Sequence, residues 1–203
     1  MTESKSQGMG TARLDAFSDG VIAIILTIMV LELKLPHRVT PEALIEQIPV
    51  LLSYLLSFFV VAIMWVNHHH LTHTVKRVNG RLLWINIHFL LWMSLIPFST
   101  GLIGEGYAEP LAACIYGLNL ALATASFSLL MREVTMQQIQ TPALVAHRAS
   151  RVRAEIFTFV MYLAGALLAF VSVYIAFAIY VALPLLFFIP EKQVGQTSDA
   201  AQP

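Results

Sequence analysis

The chain has 203 residues, of which 58% are hydrophobic and only 12% charged, with a formal net charge of zero. A soluble domain of this size carries about 25% charged residues, so a mean hydropathy of +0.74 describes a surface that suits lipid and excludes a water-soluble globule. The balanced charge leaves no basic field for nucleic acid, and the single cysteine, Cys114, excludes an intramolecular disulfide and a multi-cysteine metal site.

A helix needs about 20 mostly apolar residues to cross a bilayer, and the sequence divides into six such segments. Residues 1–15 (MTESKSQGMGTARLD) are polar, and the apolar run behind them is long enough to stay in the membrane rather than be cleaved as a signal. The first span is predicted at Ala16–Leu35, closed by Pro36 and carrying Asp19 and Glu32 near its ends. The second runs from Ile48 to Asn67, with Pro49 in its first turn. The third covers Leu82–Leu102, kinked at Pro97, and the fourth Ala108–Met131, with Glu109 at its mouth. The last apolar stretch, Ala154–Ile189, is too long for one span. It splits into Ala154–Phe170 and Val173–Ile189 about a tight turn near Ser172, with Pro184 bending the second piece. This gives an all-α membrane protein: one six-helix transmembrane domain over residues 1–190 and a short disordered tail over 191–203.

Lysine and arginine favour cytoplasmic loops, and their placement orients the chain. Lys5, Arg13, Lys76, Arg77, Arg81, Arg132, Arg148, Arg151, Arg153 and Lys192 fall on one side, which is 10 of the 12 basic residues. Lys34 and Arg38 alone fall on the other, beside Glu42, Glu46, Glu105 and Glu109. Both termini are therefore expected in the cytoplasm. Gly101, Gly104 and Gly106 are placed in an external turn, where no strand precedes and no Lys-Ser/Thr follows to make a phosphate loop.

The first helix holds the specific signal. At about 100° per residue, one stripe collects Phe17, Gly20, Ile24, Thr27, Ile28, Leu31 and Leu35, while Asp19 falls nearly opposite. A carboxylate in a membrane segment is costly, so Asp19 needs a protein partner or water. Arg13 is one candidate; the Asn67–His70 group, His73, Asn86 and His88 are others on the same side.

Residues 13–20 read RLDAFSDG, and this R-x-x-x-F-S-D pattern resembles the transmembrane protein 175 family of potassium channels. The likeness extends to the first helix ending LELKLP, to the W-x-x-H-H segment at Trp65–His69 and to the six-span layout. It implies a homotetramer of six-helix subunits in the cell membrane, conducting K⁺ through a central pore lined by the first helix of each subunit, with no cofactor and no catalysis. The family lacks a carbonyl filter, and no T-V-G-Y-G segment occurs here. Carried over by spacing from Asp19, the family's apolar constriction falls on Ile24, Ile28 and Leu31, with Thr27 adding hydroxyls. The resemblance further implies that Arg13, Phe17, Ser18 and Asp19 join a polar network with the next two helices, involving Trp65, His68 and His69. Arg13→Ala is then expected to impair assembly or gating more than selectivity.

Other readings are weaker on the residues themselves. His69 and His73 stand four apart, as metal ligands do, but they lie at a helix end with no carboxylate or cysteine to complete a site, so the histidines read as network or interfacial groups and no metal is assigned. Trp65, Trp84 and Trp92 suit anchors at the membrane boundary. A secondary transporter of a small ion or solute is the alternative function; it calls for charged residues at mid-membrane, and no span has one near its centre. An intramembrane enzyme lacks a second carboxylate or nucleophile beside Asp19.

Overall fold

The computed structural model describes residues 10–34, 36, 39–138 and 142–187, without the side chains of 142–148, 186 and 187. Leu35 and the tail at 191–203 lie outside the described residues. Every regular element among them is helical: α1 (Thr11–Ile28, continued by a 3₁₀ turn Met29–Glu32), α2 (Pro41–Glu46), α3 (Ile48–Thr72), α4 (Gly80–Ser94), α5 (Ile96–Glu105), α6 (Pro110–Met136), α7 (Pro142–Leu168) and α8 (Val173–Phe187). Four stretches, Thr11–Glu32, Pro41–Thr72, Gly80–Glu105 and Pro110–Met136, are long and apolar enough to cross a membrane. With α7 and the shorter apolar α8 they make six passes.

Local chemistry sets the helix boundaries. The Thr40 hydroxyl caps α2 by accepting from Ala43 N at 3.3 Å, and Asn79 Oδ1 caps α4 by accepting from Leu82 N at 2.7 Å. Proline occupies the first turn of α2, α3, α5 and α6, where its missing N–H costs no hydrogen bond. The predicted kink at Pro97 is a break: α4 ends at Ser94 and α5 restarts at Ile96. The turn between α7 and α8 is tight, Ser172 N donating to Leu168 O at 2.9 Å.

Two boundaries differ from the sequence expectation. α7 starts at Pro142, twelve residues before the expected span, because a helix continues beyond the bilayer wherever its polar face meets water. Arg151 and Arg153 thus sit on a helix. Gly101 and Gly104 lie within α5 rather than in a turn, while Gly106 caps the helix and opens the turn that follows, its carbonyl accepting from Glu109 N at 2.9 Å. The glycine at 101 lets the Glu32 side chain lie against α5, since a Cβ there would fall 2.2 Å from Glu32 Oε2.

α6 is the hub. It packs against α4, α5, α7 and α8 and buries residues around its whole girth, among them Tyr116, Leu120, Phe127 and Leu130. Polar side chains tie the hub to the α4–α5 break: Thr100 Oγ1 donates to Ser57 Oγ at 2.7 Å, Ser57 Oγ meets Tyr116 Oη at 3.0 Å, and Asn119 Nδ2 donates to Ser99 Oγ at 3.1 Å. α1 stands at the margin, against α3 and α4. An ion pair marks each end of the bundle. Lys34 and Glu105 join at one end, where the Glu105 carboxylate raises the exposed lysine above its ordinary pKa. Arg81 and Glu133 join at the other, at 3.1 Å.

Tyr180 of α8 is clamped between two glycines. Its hydroxyl donates to Ala113 O at 3.0 Å, and a Cβ on Gly117 or Gly165 would fall 2.0 or 2.6 Å from its atoms. Gly117→Ala should therefore destabilise the protein by about 1–3 kcal/mol through overpacking. Thermal unfolding in detergent checks this against Gly80→Ala, where nothing lies within 4 Å and no loss is expected.

Candidate functional site

The sequence of α1 gives it two unlike faces. Leu14, Ser18, Ile22 and Ile25, followed by Met29, recur every three to four residues and are buried against α3 and α4. The other face carries Phe17, Ile24, Ile28 and Leu31, which remain 56%, 59%, 41% and 74% exposed on the single subunit. Gly20 and Thr27 are exposed with them. The expected constriction residues thus share one side that their own subunit does not cover. Leu31 lies on the 3₁₀ turn, whose winding of about 120° per residue differs from the α-helical wheel, yet it stays on the open side. The Thr27 hydroxyl donates to Ile24 O at 2.8 Å. Its hydrogen is thereby committed to the backbone, and the oxygen lone pairs are left facing outward.

The buried edge of the same helix carries a polar seam. Asn86 of α4 bridges two elements: its Nδ2 donates to Ser18 Oγ at 2.9 Å, and its Oδ1 lies 2.8 Å from His68 Nε2 on α3. An amide oxygen only accepts, so His68 carries its proton on Nε2. The opposite nitrogen, Nδ1, is buried without a partner among the described residues, which fits a bare lone pair and a neutral ring. That ring stacks on Phe89 at 5.5 Å with 8° between planes. Beside it, Trp65 Nε1 donates to Asp19 Oδ1 at 2.8 Å.

Asp19 is therefore partnered by Trp65, not by Arg13 or a histidine. Arg13 is exposed, and its side chain has no hydrogen bond or ion pair among the described residues. Of the expected network, Ser18, Asp19, Trp65 and His68 are brought together. Phe17 stands apart on the open face, and His69 reaches the seam only through its ring, 5.6 Å from that of Trp65. Asn86 has a different role from the one weighed for it: it links Ser18 to His68 rather than meeting Asp19. A polar side chain amid the apolar run LLWINIHFLLW was the available signal.

A family model described as endosomal/lysosomal potassium channel TMEM175 matches residues 13–97, which include every residue of this seam. A protein named as a potassium channel from Chryseobacterium sp. (strain P1-3) is 38% identical over 189 residues, spanning 93% of this chain and 98% of that protein. The chain belongs to the TMEM175 family. Another protein named as a potassium channel, from Chamaesiphon minutus, is 31% identical across 92% of this chain and 97% of its own length. The crystal structure of a lysosomal potassium-selective channel TMEM175 homolog from Chamaesiphon minutus matches with a TM-score of 0.78 at 28% identity, covering 88% of this chain and 96% of that one. The all-helical, six-pass fold is thus the TMEM175 fold, and the family is one of ion channels rather than enzymes.

Replacing Asn86 by leucine leaves the His68 N–H and the Ser18 hydroxyl without their shared partner. The expected loss is roughly 1–2 kcal/mol, between the soluble-protein cost of an orphaned group and the smaller values met in membranes. Adding Ser18→Ala should cost less than its own separate loss, because the two changes remove one network. Thermal unfolding of the singles and the double in detergent reads this, and strict additivity would break the seam apart.

Proposed function

We propose that four copies of this chain form a potassium-permeable channel in the cell membrane, with α1 of each copy lining a central pore. The observation that carries this reading is the division of α1: a polar seam and a buried face on one side, and an uncovered stripe of Ile24, Thr27, Ile28 and Leu31 on the other. Around a fourfold axis such stripes give stacked apolar rings with a ring of Thr27 hydroxyl oxygens among them. Arg13, exposed on the same side and with its side chain free of partners among the described residues of its own subunit, is then available to a neighbouring copy. Relatives named as potassium channels that match nearly end to end support the same ion.

The mechanism follows from hydration. A narrow apolar ring replaces none of the water an ion must shed to enter it, so the ring is a barrier that opens by wetting or by a small shift of α1. Potassium holds its shell less tightly than sodium and crosses with less loss. The outward lone pairs of Thr27 return part of that hydration just beyond Ile24. Selectivity built this way is moderate. The basic loops orient both termini to the cytoplasm, which puts the seam at the inner mouth.

Purified protein in liposomes tests the reading. Potassium should leak down its gradient without a counter-ion. Ile24→Asn replaces an apolar ring with a polar one, and should raise sodium flux relative to potassium by roughly tenfold for each 1.4 kcal/mol of barrier removed. Saturable flux that strictly requires a second ion would overturn the proposal in favour of a transporter, and a crosslinking ladder that stops at the dimer would overturn the fourfold pore.

A further inference from the structure

The last two turns of α3 hold His68, His69 and His70, and His73 caps the helix. His68 belongs to the buried seam, but the next pair has a geometry of its own. His69 Nε2 and His73 Nε2 lie 3.1 Å apart, their rings at 89° with centroids separated by 4.3 Å. On the subunit His69 is half-buried and His73 exposed, at the polar end of the pass.

The separation equals a chelating bite. Two imidazole nitrogens bound at about 2.0–2.1 Å to one ion lie roughly 2.8–3.4 Å apart at the angles of square-planar or tetrahedral coordination. Neither Nε2 has another hydrogen-bond partner among the described residues. Between two neutral rings in this pose one Nε2–H donates to the other ring's lone pair. When the donor ring carries its proton on Nδ1 instead, both Nε2 lone pairs face one point and can bind a metal ion together, with no proton lost. The helix stacks residues four apart on one face, and the rotamers of the two rings bring their Nε2 atoms to this distance.

We propose that His69 and His73 form an exchangeable two-histidine site for a divalent transition metal of the zinc class, at the exposed end of α3. Among the described residues no group of three or more histidine, cysteine, aspartate or glutamate side chains converges, so water fills the remaining positions and the site is open rather than structural. Bound metal clamps the last turn of α3. The His69 ring lies against Trp65 at 5.6 Å, and Trp65 holds Asp19, so the clamp adjoins the anchor of α1. The site itself does not depend on the channel reading.

Calorimetric titration of zinc into tag-free, chelator-treated protein in detergent tests this, with thermal unfolding followed in parallel. One zinc per subunit is expected, with a rise in unfolding temperature that a chelator reverses. His73→Gln and His69→Gln should abolish both effects, while His70→Gln leaves them intact. His73→Cys, which restores a ligand at the same position, should regain uptake and so separates a lost ligand from a lost fold. No zinc uptake by the unaltered protein, or uptake unchanged in His73→Gln, would overturn the site.

Discussion

A polar group inside a membrane must find its partner within the protein, because lipid offers none. In this chain that constraint falls on Ser18 and Asp19, adjacent residues on α1 that point to different neighbours. Ser18 is held by Asn86 of α4 and Asp19 by Trp65 of α3. Two fixed points at adjacent positions set the rotation of the helix about its axis. Once that rotation is set, 3.6-residue geometry turns Ile22 and Ile25 inward and Ile24 and Ile28 away from the subunit, and the 3₁₀ turn beyond keeps Met29 buried and Leu31 exposed. The hydrophobic effect does not distinguish these isoleucines in a lipid solvent. Hydrogen bonds do.

The rest of the bundle keeps the two anchors in place. α5 meets the hub helix α6 through Ser99 and Asn119 directly, and through Thr100, Ser57 of α3 and Tyr116, clustered where Pro97 interrupts the α4–α5 pass. That break frees backbone groups, and near it the Ser99 hydroxyl donates back to the buried Ile96 carbonyl at 3.0 Å, with Thr100 Oγ1 2.7 Å from the same oxygen. The second polar cluster thus fixes α5 and α6 as the first fixes α1. Between them the core is filled by aromatic and aliphatic contacts, with Tyr180 wedged into the notch left by Gly117 and Gly165.

Much of this was legible in the residues. Apolar run length placed six passes, and the tight turn near Ser172 followed from a stretch too long for one helix. Helical periodicity placed the α1 stripe on one side. Periodicity gives a face but no partner, so it left Asp19 open among Arg13, the histidines and Asn86, and Trp65 holds it. It also gave no sign that Asn86 would join Ser18 to His68, since that contact spans three helices. Hydropathy ended the fifth pass at Ala154 because the preceding residues are charged, whereas α7 runs back to Pro142. Composition measures what a segment dissolves in, and helix formation continues past that boundary. The Nε2 separation of His69 and His73 depends on rotamers, which spacing does not specify.

The central claim is that the seam points Ile24 toward the conduction path and Ile25 away from it. Cysteine accessibility during potassium flux measures this most directly, in a Cys114→Ser background reconstituted into liposomes. A water-soluble thiol reagent should react with Ile24→Cys and block flux, while Ile25→Cys, 2% exposed in the subunit, stays unmodified and conducting. Equal modification of both positions, or block at Ile25→Cys with Ile24→Cys silent, would contradict the account.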